Sequence, residues 1–218
     1  MPIGTRNVNS LGARSEQVLT WRVERKIDVA LLQQTKCTDG DFPFDEFAEI
    51  GYQSAHHGVN HWNGVAIVSR VGLEDVAYGF QSSTGFAEPR LIDATNTAAL
   101  VAGDFNVGMA DIVFYDAKQW AGKKHATDEE RAGVQGSIDL GFVDLARDQY
   151  RDEPQFTWWN YVGTQFAKNK GLRLDLALGS KAVTERLDDV WVDRHARNPL
   201  VVRPAKPYDH APLIVDLL

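Results

Sequence analysis

Four short apolar runs set the tightest limit on how this chain folds: 28–34 (DVALLQQ), 64–68 (GVAIV), 100–102 (LVA) and 174–178 (LDLAL). The first two are bounded by polar residues or Gly, and the lengths of all four suit buried strands rather than helices. Between them, 13–26 (ARSEQVLTWRVERK) places Val18, Trp21 and Val23 at roughly helical spacing. The stretch 128–140 opens with the acidic first turn of a helix N-terminus. Later segments, FTWWNY, LRLDLALGS, VTERLDDVWV and APLIVDLL, read as strand-like pieces between turns. Helices and strands alternate loosely, which implies layered α and β.

No Pro/Gly/Ser linker divides the 218 residues, so 1–218 is expected to form a single domain. Pro-rich 199–207 reads as a loop that delivers Tyr208, Asp209 and His210. The lone Cys37 excludes an internal disulfide, and no apolar stretch approaches the ~18 residues of a membrane span. The N-terminal MPIGTRNVNS lacks a basic region followed by an apolar run, so the expected address is cytoplasmic, with residue 1 opening the domain. A net charge of −7 argues against binding nucleic acid through overall charge. Two local clusters stand against that balance: Lys168, Lys170 and Arg173, then Arg194, Arg197, Arg203 and Lys206. Most such charge runs are merely solvated faces.

The strongest local signal is Gly103-Asp104-Phe105-Asn106, directly after the apolar run LVA. A carboxylate and an amide two residues apart project from the same side of an emerging strand. The same tetrapeptide also fits a turn closed by an Asx hydrogen bond. Asp209-His210 joins a carboxylate to a side chain that moves protons near neutral pH. Asp175 sits inside an apolar strand and, if buried, needs a partner such as a charged His or a metal. Simple alternation would instead put Arg173 and Asp175 together on a solvated face. Asn7, Asn9 and Asn63 recur at the edges of strand segments, where amides can hold phosphate oxygens or simply cap turns.

In order along the chain, TRNVNS, LLQQTKC, HHGVNHWNGVAIVSR, EPRLI, GDFNV, FTWWNY, GLRLDLALGS and KPYDHAP resemble the exonuclease III group of the endonuclease/exonuclease/phosphatase superfamily. Eight ordered blocks spanning nearly the whole chain are far more specific than any one of them. The resemblance implies a four-layered α/β sandwich, two packed sheets flanked by helices. It also implies cleavage of DNA phosphodiesters with Mg²⁺ or Mn²⁺, as a 3′→5′ exonuclease on double-stranded DNA and as an endonuclease at abasic sites. Carried over by position, His210 acts as a base or as an electrostatic partner of the phosphate, oriented by Asp175. Asp104 handles the nucleophilic water or the leaving-group proton, and Asn106 holds the phosphate. Asn7, Gln34 and Asp209 fall at the metal, in keeping with the oxygen ligands a hard cation takes. Lys36, Arg90, Trp158, Asn169 and Arg173 fall on the DNA-facing side, where they would position the backbone rather than read sequence. A monomer and no membrane partner are expected.

The pattern also departs from the family. Gln34 stands where the family's Gln-Glu-Thr-Lys block has its metal carboxylate, keeping an oxygen and losing a charge. A unit charge pair about 4 Å apart at an effective dielectric near 20 is worth roughly 4 kcal/mol, so metal affinity would fall by up to about 10³-fold. The family's strand, Tyr-Val-Pro-Asn-Gly-like block and helix are missing between Thr95 and Leu100, and an active-site Tyr goes with them. Arg6 replaces an aromatic and Asn160 replaces an Asp. Reduced activity is therefore expected, and two other readings stay open: an inactive DNA-binding pseudoenzyme, and a phosphoesterase with a small-molecule substrate.

Overall fold

In the computed structural model, the described residues are 1–78, 98–198 and 208–218, with the backbone of 92–94. They pack as two compact units, Met1–Thr97 and Ala98–Leu218. Arg90, the whole Pro-rich 199–207 segment and the junction at 95–97 lie outside the described residues.

In the first unit, β1 (Pro2–Asn7) and β2 (Val29–Gln33) run parallel, in register from Ile3↔Val29 to Asn7↔Gln33. A parallel pair needs a crossover, and helix α1 (Ser15–Glu24) provides it. Trp21 of α1 presses onto β1 so closely that a Cβ on Gly4 would stand 2.5 Å from its ring. Helix α2 (Phe44–Glu49) leads into β3 (Gln53–His57), and β4 (Val65–Ser69) pairs antiparallel with both β2 and β3. Within the unit the order is β1-β2-β4-β3. A separate antiparallel pair joins β5 (Val76–Tyr78) to β6 (Ile92–Ala94). Arg6 is buried, with its guanidinium 5.5 Å from the centre of the Trp21 ring.

The second unit centres on β9 (Asp175–Gly179), buried at every residue. It pairs antiparallel with β7 (Leu100–Asp104) on one side and β8 (Val143–Asp144) on the other. Helix α3 (Ala117–Trp120) lies between β7 and the longer α4 (Asp128–Asp139), whose start is a capping box in which Thr127 and Glu130 bond each other's backbone N–H. Val134 of α4 packs with Val107, Leu176 and Leu178. Helix α5 (Leu145–Gln149) follows β8, and α6 (Lys181–Thr184) follows β9. An antiparallel pair, β10 (Leu187–Val192) and β11 (Leu213–Leu217), completes the unit. The expected mixed α/β class is what forms, with sheets flanked by helices. Two expected strands differ in detail: VTERLDDVWV begins inside α6, and FTWWNY contributes bridges rather than a strand. No helix among the described residues is long and apolar enough to cross a membrane.

Candidate active site

Three stretches distant in sequence meet at the ends of β7 and β9. Antiparallel register sets Asp104, the last residue of β7, opposite Asp175, the first of β9. The segment 157–159 then spaces His210 against them. Its Thr157 and Trp158 N–H groups donate to Leu172 O at 2.9 Å on one side. On the other, Trp159 N donates to Asp209 O at 2.9 Å and Ala211 N to Thr157 O at 2.7 Å. Thr157, wholly buried, accepts at Oγ1 from the N–H of Leu174 (3.0 Å) and Asp175 (3.1 Å), so its hydroxyl fixes where β9 begins.

His210 Nδ1 donates to Asp175 Oδ2 at 2.7 Å, while Nε2 stands 3.6 Å from Asp104 Oδ2. All three side chains are nearly dry, at 6%, 1% and 4% exposed for His210, Asp175 and Asp104. Burial alone would discharge the imidazole. Asp175, Asp104 and Asp209 outweigh it and push His210 up to about 9, so the metal-free chain holds an imidazolium at neutral pH. The Tyr208 ring stacks on His210 at 5.4 Å, and burial together with the same carboxylates pushes its phenol far up. Asp209 Oδ2 accepts from Trp158 Nε1 at 3.1 Å. Asn106, exposed and left-handed at φ +56, donates its N–H to Asp104 Oδ1 at 2.9 Å, so GDFN is both an Asx turn and part of the site.

The sequence pattern of the Endonuclease/Exonuclease/phosphatase family matches residues 5–204. The chain belongs to that family. A 3′ phosphatase from Neisseria, solved with a product DNA hairpin, is 29% identical with a TM-score of 0.93, over 100% of this chain and 99% of that one. An AP endonuclease from Archaeoglobus fulgidus is 26% identical with a TM-score of 0.91 over the same shares. Exodeoxyribonuclease III of Haemophilus influenzae is 26% identical over 261 residues, 95% of this chain and 96% of the relative. That aligned span exceeds the 218 residues present here, in keeping with segments missing from this family member.

The remaining expected residues of this endonuclease/exonuclease/phosphatase family protein fall as follows. In the first unit, the parallel register places Asn7 beside Gln33, with Gln34 and Lys36 in the irregular segment just beyond. Asn7 is buried and accepts from Asn9 N at 3.2 Å, while Lys36 Nζ donates to Asn9 Oδ1. In the second unit, Trp158 is half-buried with its indole tied to Asp209, and its neighbour Trp159 is the one that fills core. Asn169 is exposed and accepts from Arg194 Nη1 at 2.6 Å. Arg173, expected on the DNA-facing side, is 1% exposed and forms two bonds to Asp144, of 2.8 and 2.7 Å, inside the unit. His125 was missed: its Nδ1 donates to Asn106 O at 2.6 Å, backing the turn that carries Asn106. A single His in the polar GKKHATDE stretch gives no pattern that would reveal this contact.

Proposed function

We propose that the chain is a DNA-repair phosphodiesterase of the exonuclease III type, acting on double-stranded DNA at 3′ ends and abasic sites, as a monomer. The observation that carries this reading is the Asp104–His210–Asp175 constellation in a chain of this family. Held charged and oriented by Asp175, His210 is suited to be an electrostatic partner of the phosphate rather than a base. That leaves Asp104 as the carboxylate to accept a proton from the attacking water. Asn106 would hold a phosphate oxygen through its exposed amide.

Mg²⁺ or Mn²⁺ fits the oxygen donors assigned to it, Asn7, Gln34 and Asp209, and when bound would polarise the phosphate. The roles of Asn7 and Gln34 rest on the family blocks that carry them, as do those of Lys36, Trp158, Asn169 and Arg90 on the DNA-facing side. With Gln34 supplying no charge, metal affinity and turnover at low Mg²⁺ are reduced.

The test is cleavage of an abasic duplex and of a 3′-recessed duplex across a Mg²⁺ titration, for the wild type, Asp104→Ala and Gln34→Glu. Activity in the wild type that vanishes in Asp104→Ala, with half-saturation at lower Mg²⁺ in Gln34→Glu, is expected. No cleavage above Asp104→Ala in either of the other proteins would sink the enzyme reading. Salt-sensitive duplex binding that survived in that case would leave a DNA-binding pseudoenzyme.

A further inference from the structure

Gln34 and Lys36 share an uncommon backbone: both carry side chains at left-handed φ, +54 each, and Thr35 between them is wholly buried. Such angles persist only where the surroundings hold them. Part of that hold is backbone. Thr35 N donates to Gly64 O at 3.1 Å, Lys36 N to Asn63 O at 2.8 Å, and Leu11 N to Thr35 O at 2.8 Å. Side chains supply the rest. Thr35 Oγ1 lies 2.8 Å from His56 Nε2, and His56 Nδ1 lies 2.8 Å from Asp39 Oδ1, which also accepts from Gly58 N at 2.8 Å.

The carboxylate fixes the tautomer. Nδ1 carries the hydrogen and donates to Asp39, so Nε2 is the acceptor for the Thr35 hydroxyl. Burial, with neighbouring His57, lowers the His56 pKa against the opposing pull of Asp39, which keeps the ring neutral and the acceptor in place. Phe42 stacks on the ring at 4.3 Å. Two glycines let the chain close around this set: a Cβ on Gly58 would stand 2.3 Å from Cys37 O, and one on Gly64 2.2 Å from Thr35 Oγ1.

We infer that Asp39 and His56 are positioning residues, acting through Thr35 to hold Gln34 and Lys36 in the conformation that binds divalent metal and the DNA backbone. The inference rests on the roles proposed for Gln34 and Lys36. Its consequence is that metal and DNA affinity depend on a hydrogen-bond chain whose outer members touch neither ligand, while the chemical step does not.

The test uses three variants of the full chain. His56→Phe keeps the ring stack and removes both nitrogens, Thr35→Val removes the hydroxyl, and Asp39→Ala removes the carboxylate. The Asp39 side chain is 57% exposed, so Asp39→Ala keeps the test open if His56→Phe does not fold. Mn²⁺ affinity by calorimetry without DNA should weaken about 10-fold in each, as for other partners behind metal ligands. Binding of an abasic duplex in chelator should weaken too, while kcat at saturating metal stays within about twofold. Thr35→Val combined with His56→Phe should be no weaker than either alone. Folded variants with wild-type affinity for Mn²⁺ and duplex, or with a loss confined to kcat, would overturn the inference. A wild type that bound neither Mn²⁺ nor duplex would overturn the nuclease reading as well.

Discussion

His210 lies between two buried carboxylates, and its charge follows from that placement. Its folded-state pKa of about 9 stands above the ordinary histidine value near 6.5, because Asp175, Asp104 and Asp209 together outweigh burial. A raised pKa means the folded chain binds the proton more tightly than the unfolded chain. The resulting stability is therefore fully present below pH 6.5 and is lost as pH rises through 9. In EDTA, the denaturant midpoint of the wild type should fall across that window, and that of His210→Asn should fall less. Parallel curves for the two proteins would contradict the pairing. At this scale the site was partly legible: an Asp in an apolar run, if buried, needs a partner, and the His of the DH dipeptide is that partner. His125 and the Asp39–His56–Thr35 chain were not legible, because their contacts join residues 17 to 21 positions apart with no periodic pattern between them.

At the scale of elements, the segment LRLDLALGS shows where alternation fails. Spacing of two would put Arg173 and Asp175 together on one wet face, yet both are buried, each against its own opposite charge, Asp144 and His210. The apolar runs at 28–34, 64–68 and 174–178 became strands because continuous branched and aliphatic side chains suit burial on a sheet. FTWWNY looks equally strand-like, and its edges are satisfied on both sides, by Leu172 and by residues 209–211, without a regular ladder. Only the folded chain reveals Thr157 as the cap of β9. Thr157→Val keeps the shape and orphans the N–H groups of Leu174 and Asp175, at about 1–3 kcal/mol for each buried donor. Chemical denaturation should show that loss, with Thr157→Ser retaining most of the wild-type stability. A Val variant as stable as the wild type would mean that the two donors find other acceptors.

Over the whole molecule, 30 acidic residues against 23 basic ones oppose approach to a polyanion. Binding to duplex DNA must then rest on a few local cations, and the fold has already committed some of them. Arg173 is paired with Asp144, and Arg197 is buried beneath Tyr161 and Phe166. Lys168 and Lys170 are exposed, and half-buried Lys36 is steered by Asn9. Each phosphate neutralised contributes about −0.9 to the slope of log affinity against log salt, so about three contacts predict a slope near −3. Lys36→Ala should make that slope shallower by about one unit, and Arg173→Met should leave it unchanged while lowering stability. Anisotropy titrations of an abasic duplex in chelator, from low to physiological salt, measure both. A slope steeper than about −6 would require more cations at the phosphates than Lys36, Lys168 and Lys170. A slope altered by Arg173→Met in a folded protein would return that residue to the DNA-facing side.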